Sequence, residues 1–585
     1  MNVGATPTRL MRLLELARTF STLEATSSRL KLVELVAELL ARARPEELEP
    51  VVYLLLGTLR PPWEGVETGI GEKLLQSTLA RVYGKTTDQV RRRMAKAGDM
   101  GLVAESLASA ARSRVTVRQA YQVLLEVAAA AGSGALGRKT TLLADLLGKL
   151  TGLEARYLVR AAQGSLRLGV GDQTVLEAAA LGALGDRGKK PLLEHAYNVR
   201  ADLGDVVRVA FTQGASGLAR IGPALGVPVR PALAQRLASA AEIVQRLGPV
   251  QGEPKFDGFR LQLHRRGQRV WAFSRRLENV TAMFPELVDG IRRQLKAERV
   301  ILEGEALVHN PETGEFLPFQ VTMTRKRKSR VAESAERYPL RLFAFDLLYL
   351  GQQGWLDRPQ RERTRRLRQL VSVRGDGPIA VPDTIETADP EELQAYFDDM
   401  INRGLEGIMA KRPDAAYQAG ARGYHWVKLK RAYHSHLRDT VDLVLVGYLR
   451  GRGKRAALGI GSLLAAVYDP KRDRFRTVAK IGAGLSERGW RELRASLDRA
   501  ATRTRPRRVD ALITPDVWVE PRHVVEVLAD EITRSPSHTC GRSGDAPGYA
   551  LRFPRMLGLR PDKAPDDTTT EREILDLYRK QRQTK

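Results

Sequence analysis

The stretch GPALGVPVRPALA, residues 222–234, divides the sequence into two textures that one core cannot serve. Upstream, apolar residues recur at helical spacing, as in LKLVELVAELLARA (30–43) and ARYLVRAAQGSLRLGV (155–170). Downstream, FRLQLHRRGQRVWAFSR (259–275) alternates like a half-buried strand. RVILEGEALVH (299–309) and RLFAFDLLYL (341–350) are short apolar runs, and helical segments such as RERTRRLRQL (361–370) intervene. Beyond residue 431, TVDLVLVGYLRGRGKRAALGIGSLLAAVYD (440–469) reads as strands joined by Gly-rich turns, the pattern of a small β-barrel. A multidomain chain follows: an all-α domain over 1–215, a mixed α and β domain over 216–431, and a barrel over 432–585. Its 585 residues exceed what one hydrophobic core holds.

The formal net charge of +27 draws polyanions, nucleic acid first among them. No apolar run is long enough to span a bilayer, and the amphipathic N-terminus does not resemble a secretion signal. The single cysteine, Cys540, excludes an internal disulfide framework and a multi-cysteine zinc site. It has no base partner nearby in the sequence, so a buried or incidental cysteine is expected. A reducing cytoplasm, with nucleoid association in a prokaryote, is the expected setting.

Within the helical third, ETGIGEKLL (67–75) and GSLRLGVGDQT (164–174) place glycines beside helix starts, where backbone N–H groups can approach a phosphate. Helix-capping loops have the same sequence signature. EPKFDGFR (253–260) sets Lys255 beside an Asp-Gly turn with Arg260 close by. A free lysine amine titrates near 10.4, so only about one in 2,500 is neutral at pH 7. A nucleophilic lysine therefore needs desolvation or nearby cations. Lys428 and Lys430, in a K-x-K strand, point to one face and can reach one phosphate.

The order of the motifs is more specific than any one of them. KFDGFR (255–260) is followed by SRRLENVT (274–281), LEGEALV (302–308), FAFDLLYL (343–350), EGIMAK (406–411) and WVKLK (426–430). This series resembles the motifs of the covalent nucleotidyltransferases: DNA ligases, RNA ligases and mRNA capping enzymes. RFPRMLGLRPDK (552–563) resembles a further C-terminal motif of ATP-dependent DNA ligases. TSSRLKLVELVAELL, GIGEKLL and LRLGVGDQTVL make the first third similar to the DNA-binding domain of the archaeal and eukaryotic replicative ligases.

The resemblance implies a helical DNA-binding domain, an α+β nucleotidyltransferase (adenylation) domain and an OB-fold β-barrel, acting together to seal nicks in duplex DNA with ATP. It implies that Lys255 attacks the α-phosphate and forms a lysyl-AMP intermediate. Glu253 recognises the adenine amino group and Phe345 stacks on the purine. Arg260 and Arg275 contact phosphate or sugar, the nick's 5′-phosphate being a second partner for Arg275. Glu305 holds the ribose or a metal, and Glu406 holds a divalent metal, Mg²⁺ with Mn²⁺ as an alternative. Lys428 and Lys430 bind the α-phosphate. Arg560, Asp562 and Lys563 act in the first step, when the barrel closes over ATP. Asp257 either shapes the turn or orients the amine.

Taken singly, Glu305 and Glu406 read as ordinary strand-end and turn acids, Phe345 as core and Trp426 as packing. His425 has no assigned role. RKRKSR (325–330) reads as a DNA-backbone track, a solvated face or a nuclear localisation signal, and GRGKR (451–455) as a Gly-rich loop of the barrel that can approach a phosphate. The implied partner is nicked double-stranded DNA, with a sliding clamp as a candidate protein partner, no membrane, and a monomeric chain. An RNA ligase or capping enzyme is the rival within the class. The four-cysteine zinc module of NAD-dependent ligases has no counterpart here, and a DNA-binding scaffold with a dead site is opposed by intact Lys255, Glu305, Glu406, Lys428 and Lys430.

Overall fold

The structure is a computed structural model that describes residues 9–308, 322, 325, 331–371, 377–403, 405–430, 440–451, 459–529, 531–552 and 554–583. The RKRKSR and GRGKR clusters, Arg325 and Gly451 apart, lie outside the described residues.

Helices fill the first third, from Leu13–Ala25 to Leu203–Ala219. Their apolar faces merge into one core that includes Leu16, Val36, Leu124, Leu143 and Val175. Local chemistry sets the ends. Thr86 and Gln89 form a reciprocal capping box at the start of Thr87–Ala97, and Gly98, at φ 68°, stops it. A cap of this kind stabilises a helix by about 1 kcal/mol. The last helix crosses a break at Gly214, whose φ of 62° and ψ of −156° interrupt the helical backbone.

Residues 222–232 carry the chain without regular structure into the strand Leu233–Arg236. That strand edges a five-stranded sheet in the order 233–236, 422–430, 407–411, 250–255, 385–387. A second sheet runs 269–274, 259–266, 299–308, 340–350, 353–354, with 379–380 beside 340–350. Separate apolar cores back the two sheets: one holds Ile243, Ile408 and Val427, the other Leu263, Leu302 and Leu347. Between the sheets lies a cleft.

The last third is β-rich. Its sheet runs 501–502, 517–519, 440–449, 462–469, 474–481, 509–510, and branches where 524–528 pairs with both 440–449 and 555–559. Residue shifts in the ladders, as between Leu445 and Gly447, curl the sheet around a core of Leu443, Leu463, Val478 and Val525. Cys540 is fully buried in that core. Burial raises its thiol pKa well above the ordinary value, as expected of an inert cysteine. The closing helix, Glu571–Gln583, packs back on the barrel through Leu575 and Tyr578. Among the described residues, no helix is long and apolar enough to cross a membrane.

Candidate active site

Strand register builds the centre of the site. Lys255 ends the strand Val250–Lys255 opposite Gly407, and Gly407 is also opposite Lys430 on the other side. Gly407 adopts φ 147°, and a Cβ there would collide with the Leu429 carbonyl, so the close approach of the strands demands glycine. Glu406, one residue earlier, donates its N–H to the Lys255 carbonyl at 3.2 Å. Its carboxylate accepts hydrogen bonds from both Lys255 Nζ and Lys430 Nζ. Burial pushes the Glu406 carboxyl up, but the two ammonium groups outweigh it and hold the group well below the carboxylate range. Burial pulls the Lys255 amine down, yet Glu406, with Glu305 and Asp257, keeps it above the ordinary lysine value. In this state Lys255 is a charged amine paired with an acid.

The second sheet supplies the facing wall. Arg260 lies opposite Glu305 in the ladder, but its guanidinium grips Glu303, at 2.9 and 2.8 Å. Tyr417 donates to the same carboxylate at 2.7 Å. Glu305 is left to accept the Gly258 N–H at 3.2 Å. Burial raises its carboxyl to about 7 against the pull of Lys255 and Arg260. Asp257 is also raised by burial and by Glu406.

Glu253 sits deeper and is 3% exposed. Lys411 pairs with it at 2.7 Å, and Gln251 donates to it at 2.7 Å. Burial still leaves the Glu253 carboxyl above its usual range. The Lys411 amine also donates to the Phe345 carbonyl at 3.1 Å and lies 4.2 Å from the centre of the Trp426 ring. Phe345 meets Trp426 edge-on at 5.9 Å and keeps a half-buried face to the cleft. Trp426 is buried among Phe345, Tyr417 and Lys411.

These walls enclose a cavity of about 1480 Å³. Glu253, Lys255, Arg260, Arg275, Glu305, Phe345, Glu406, Lys428, Lys430, Arg560, Asp562 and Lys563 all line it, so the distant sequence motifs converge on one space. Lys411, Glu303 and Asp442 were not singled out by sequence. Lys411 closes the EGIMAK motif and Glu303 lies two residues before Glu305, on the same strand face, so both carried a signal. Asp442 carried none.

Known proteins match this chain over nearly its full length. Residues 12–180 match the DNA ligase N terminus family, 231–430 the ATP dependent DNA ligase domain, and 456–563 the ATP dependent DNA ligase C terminal region. A probable DNA ligase of Dictyoglomus turgidum is 46% identical over 98% of both chains. A DNA ligase of Aeropyrum pernix is 42% identical over 97% of both. The chain belongs to the ATP-dependent DNA ligase family. Among solved structures it is similar to a mycobacterial DNA ligase D complexed with ATP and MES, at 26% identity, covering 58% of this chain and 97% of that one, with a TM-score of 0.35.

In the ligase, the barrel closes one side of the cavity. Arg422 of the adenylation sheet pairs with Glu573 of the closing helix. The helical domain meets the barrel too: Arg507 donates to the Leu23 and Leu168 carbonyls at 2.6 and 2.9 Å, and Arg503 to the Lys96 carbonyl at 2.6 Å. The glycine loop at 164–174 therefore faces the barrel, with Gly169 packed on Arg507. Two further cations line the cavity. The Lys428 amine makes no hydrogen bond or ion pair among the described residues, and burial with Lys430 and Lys563 pulls it far below the lysine range. Arg275 Nε is buried without a hydrogen-bond partner among the described residues. His425 lies outside this group, with Nε2 3.4 Å from Gln418 and Nδ1 unpaired among the described residues.

Proposed function

We propose that this ligase seals nicks in duplex DNA with ATP through three displacements at phosphorus. The observation that carries the reading is the cluster of Lys255, Glu406 and Lys430 lining one cavity together with Lys428 and Arg275. First, Lys255 Nζ, after losing a proton, attacks the α-phosphate of ATP. An N–P bond forms, the bond to the bridging oxygen breaks, and pyrophosphate leaves. Next, a 5′-phosphate oxygen of the nick takes AMP from Lys255, regenerating the amine. Last, the 3′-hydroxyl attacks the activated 5′-phosphate, a phosphodiester forms and AMP departs.

Phosphoryl chemistry of this kind depends on positioning and charge neutralisation. Lys428, Lys430 and Arg275 supply cations for the phosphates, Phe345 a face for the purine, and Glu253, held by Lys411, an acceptor for the adenine amino group. Guanine presents a carbonyl at that point, so the carboxylate favours adenine. Arg560 and Lys563 approach from the barrel during the first step. Glu305 and Glu406 offer hard oxygens to a divalent cation, and the raised carboxyl of Glu305 is one that such a charge would stabilise. Bound there, Mg²⁺ would neutralise phosphate charge. No group of three or more His, Cys, Asp or Glu stands ready among the described residues, so water and phosphate would complete the shell.

The helical domain, divided from the adenylation domain near residue 215, and the barrel beyond residue 431 would clamp the duplex. The test supplies α-labelled ATP, Mg²⁺ and duplexes with a nick in DNA or in RNA. Label moving from protein to the DNA 5′-phosphate, followed by sealing, is expected. Sealing of RNA nicks alone would assign the chain to the RNA-ligase class, and sealing from NAD alone would overturn the cofactor.

A further inference from the structure

An acid that the motif series gives no role holds the barrel's cations toward the cavity. Asp442 lies in the barrel's first strand, Thr440–Leu449, and its side chain is 16% exposed. Its carboxylate accepts a hydrogen bond from Lys563 Nζ. Arg560 NH1 lies 3.7 Å from Oδ1, an oxygen that is buried and accepts no hydrogen bond among the described residues. Asp562 grips the other side of Arg560, at 2.9 and 2.8 Å. The backbone of Asp442 is fixed as well. Its N–H donates to Thr569 Oγ1 at 3.0 Å and its carbonyl accepts the Thr569 N–H at 2.9 Å.

Electrostatics give the arrangement its purpose. The adenylation sheets already bring Lys255, Lys428, Lys430 and Arg275 to this cavity. Bringing Lys563 and Arg560 to the same space costs repulsion unless an anion accompanies them. Burial lowers the Lys563 amine to about 8, Asp442 opposes that, and Arg275 and Arg560 reinforce it. Without the carboxylate, Lys563 would lose charge near neutral pH and its side chain would lose its anchor. A triphosphate entering the cavity would supply the anionic charge that Asp442 carries in its absence.

We propose that Asp442 is a positioning residue for the first half-reaction, holding Lys563 and Arg560 across the cavity from the adenylation wall so that they meet the polyphosphate of ATP. The inference rests on the nucleotidyl-transfer reading above. The first step expels pyrophosphate, whereas the last expels AMP from a nick and involves no polyphosphate. Asp442 therefore bears on the first step and not on the last.

The experiment runs both steps on the same preparation: uptake of α-labelled ATP by the protein, and sealing of a chemically pre-adenylated nicked duplex without ATP. Asp442→Asn is expected to slow label uptake by about 10²-fold, the scale of one lost electrostatic contact in a transition state, and to leave sealing within about twofold. Asp442→Glu, which keeps the charge but displaces it, is expected to lose less in uptake and nothing in sealing. An unfolded fraction lowers both rates alike, so their ratio reads positioning and not folding, and Asp442→Glu carries the comparison if the Asn variant does not fold. Equal losses in both steps, no loss in either, or a loss in sealing alone would overturn the proposal. A wild-type protein that takes no label would instead overturn the nick-sealing reading itself.

Discussion

Lys255, at the end of its strand, and Glu406, the residue before the neighbouring strand, meet as an ion pair in the cleft, with Glu406 also holding Lys430. A nucleophilic lysine is usually sought by its depressed pKa, through burial or nearby cations. Here burial acts in that direction and the acid reverses it. The amine is stored charged, and its release depends on what draws Glu406 away.

Glu406→Gln removes the acid and keeps the shape. The Lys255 amine then titrates at lower pH than in the wild type, because its raised pKa loses its principal cause. Mass spectrometry of Lys255 acylation by an amine reagent across pH measures this without turnover. The wild-type midpoint is expected above that of an ordinary lysine and the variant's below the wild type's; coincident midpoints would contradict the pairing.

Lys428 makes the opposite prediction. Its amine is pulled down by burial and by its cationic neighbours, so a bound phosphate should recharge it. Binding of ATP in chelator is expected to be accompanied by proton uptake. Calorimetry in two buffers of different ionisation enthalpy detects the uptake, and Lys428→Met should diminish it. Identical heats in both buffers for the wild type would exclude the proton.

Glu305 couples the site to stability. Its folded-state pKa, about 7, is raised above the unfolded value, so the protonated acid favours folding. That contribution is complete below the unfolded pKa and is lost as pH rises through about 7. Glu305→Gln should therefore melt higher than the wild type at pH 8, by a few °C on the usual conversion of about 2–4 °C per kcal/mol for a domain of this size. The gap should narrow toward pH 4.5. A variant that melts lower at pH 8 would show that the carboxylate is already compensated.

The formal charge of +27 makes DNA affinity salt-dependent. With six or more phosphate contacts, binding to nicked duplex is expected to weaken by about 10³-fold between 50 and 200 mM salt. Fluorescence anisotropy across that range measures the slope, and a flat response would rule out the electrostatic clamp.

Much of this site was legible in sequence because its residues lie in short motifs whose order is distinctive: Lys255, Glu305, Glu406, Lys428 and Lys430 all line one cavity. Alternation and helical spacing gave the three-part fold class. The division of the middle domain into two sheets was not legible, because the strand Gly407–Lys411 inserts between 250–255 and 422–430 through long-range pairing that no local pattern encodes. Glu303 lies within the LEGEALV motif, but its role shows only where Arg260 and Tyr417 converge on it. Asp442 has no periodic or motif signal, since its partner Lys563 lies 121 residues away.

The central claim is that Lys255 carries the adenylate. The direct test is tandem mass spectrometry of the protein after incubation with ATP and Mg²⁺ in the absence of DNA. One AMP adduct is expected on the peptide bearing Lys255, absent from Lys255→Ala and discharged when nicked duplex is added. An adduct on another residue, or one that persists in Lys255→Ala, would contradict the account.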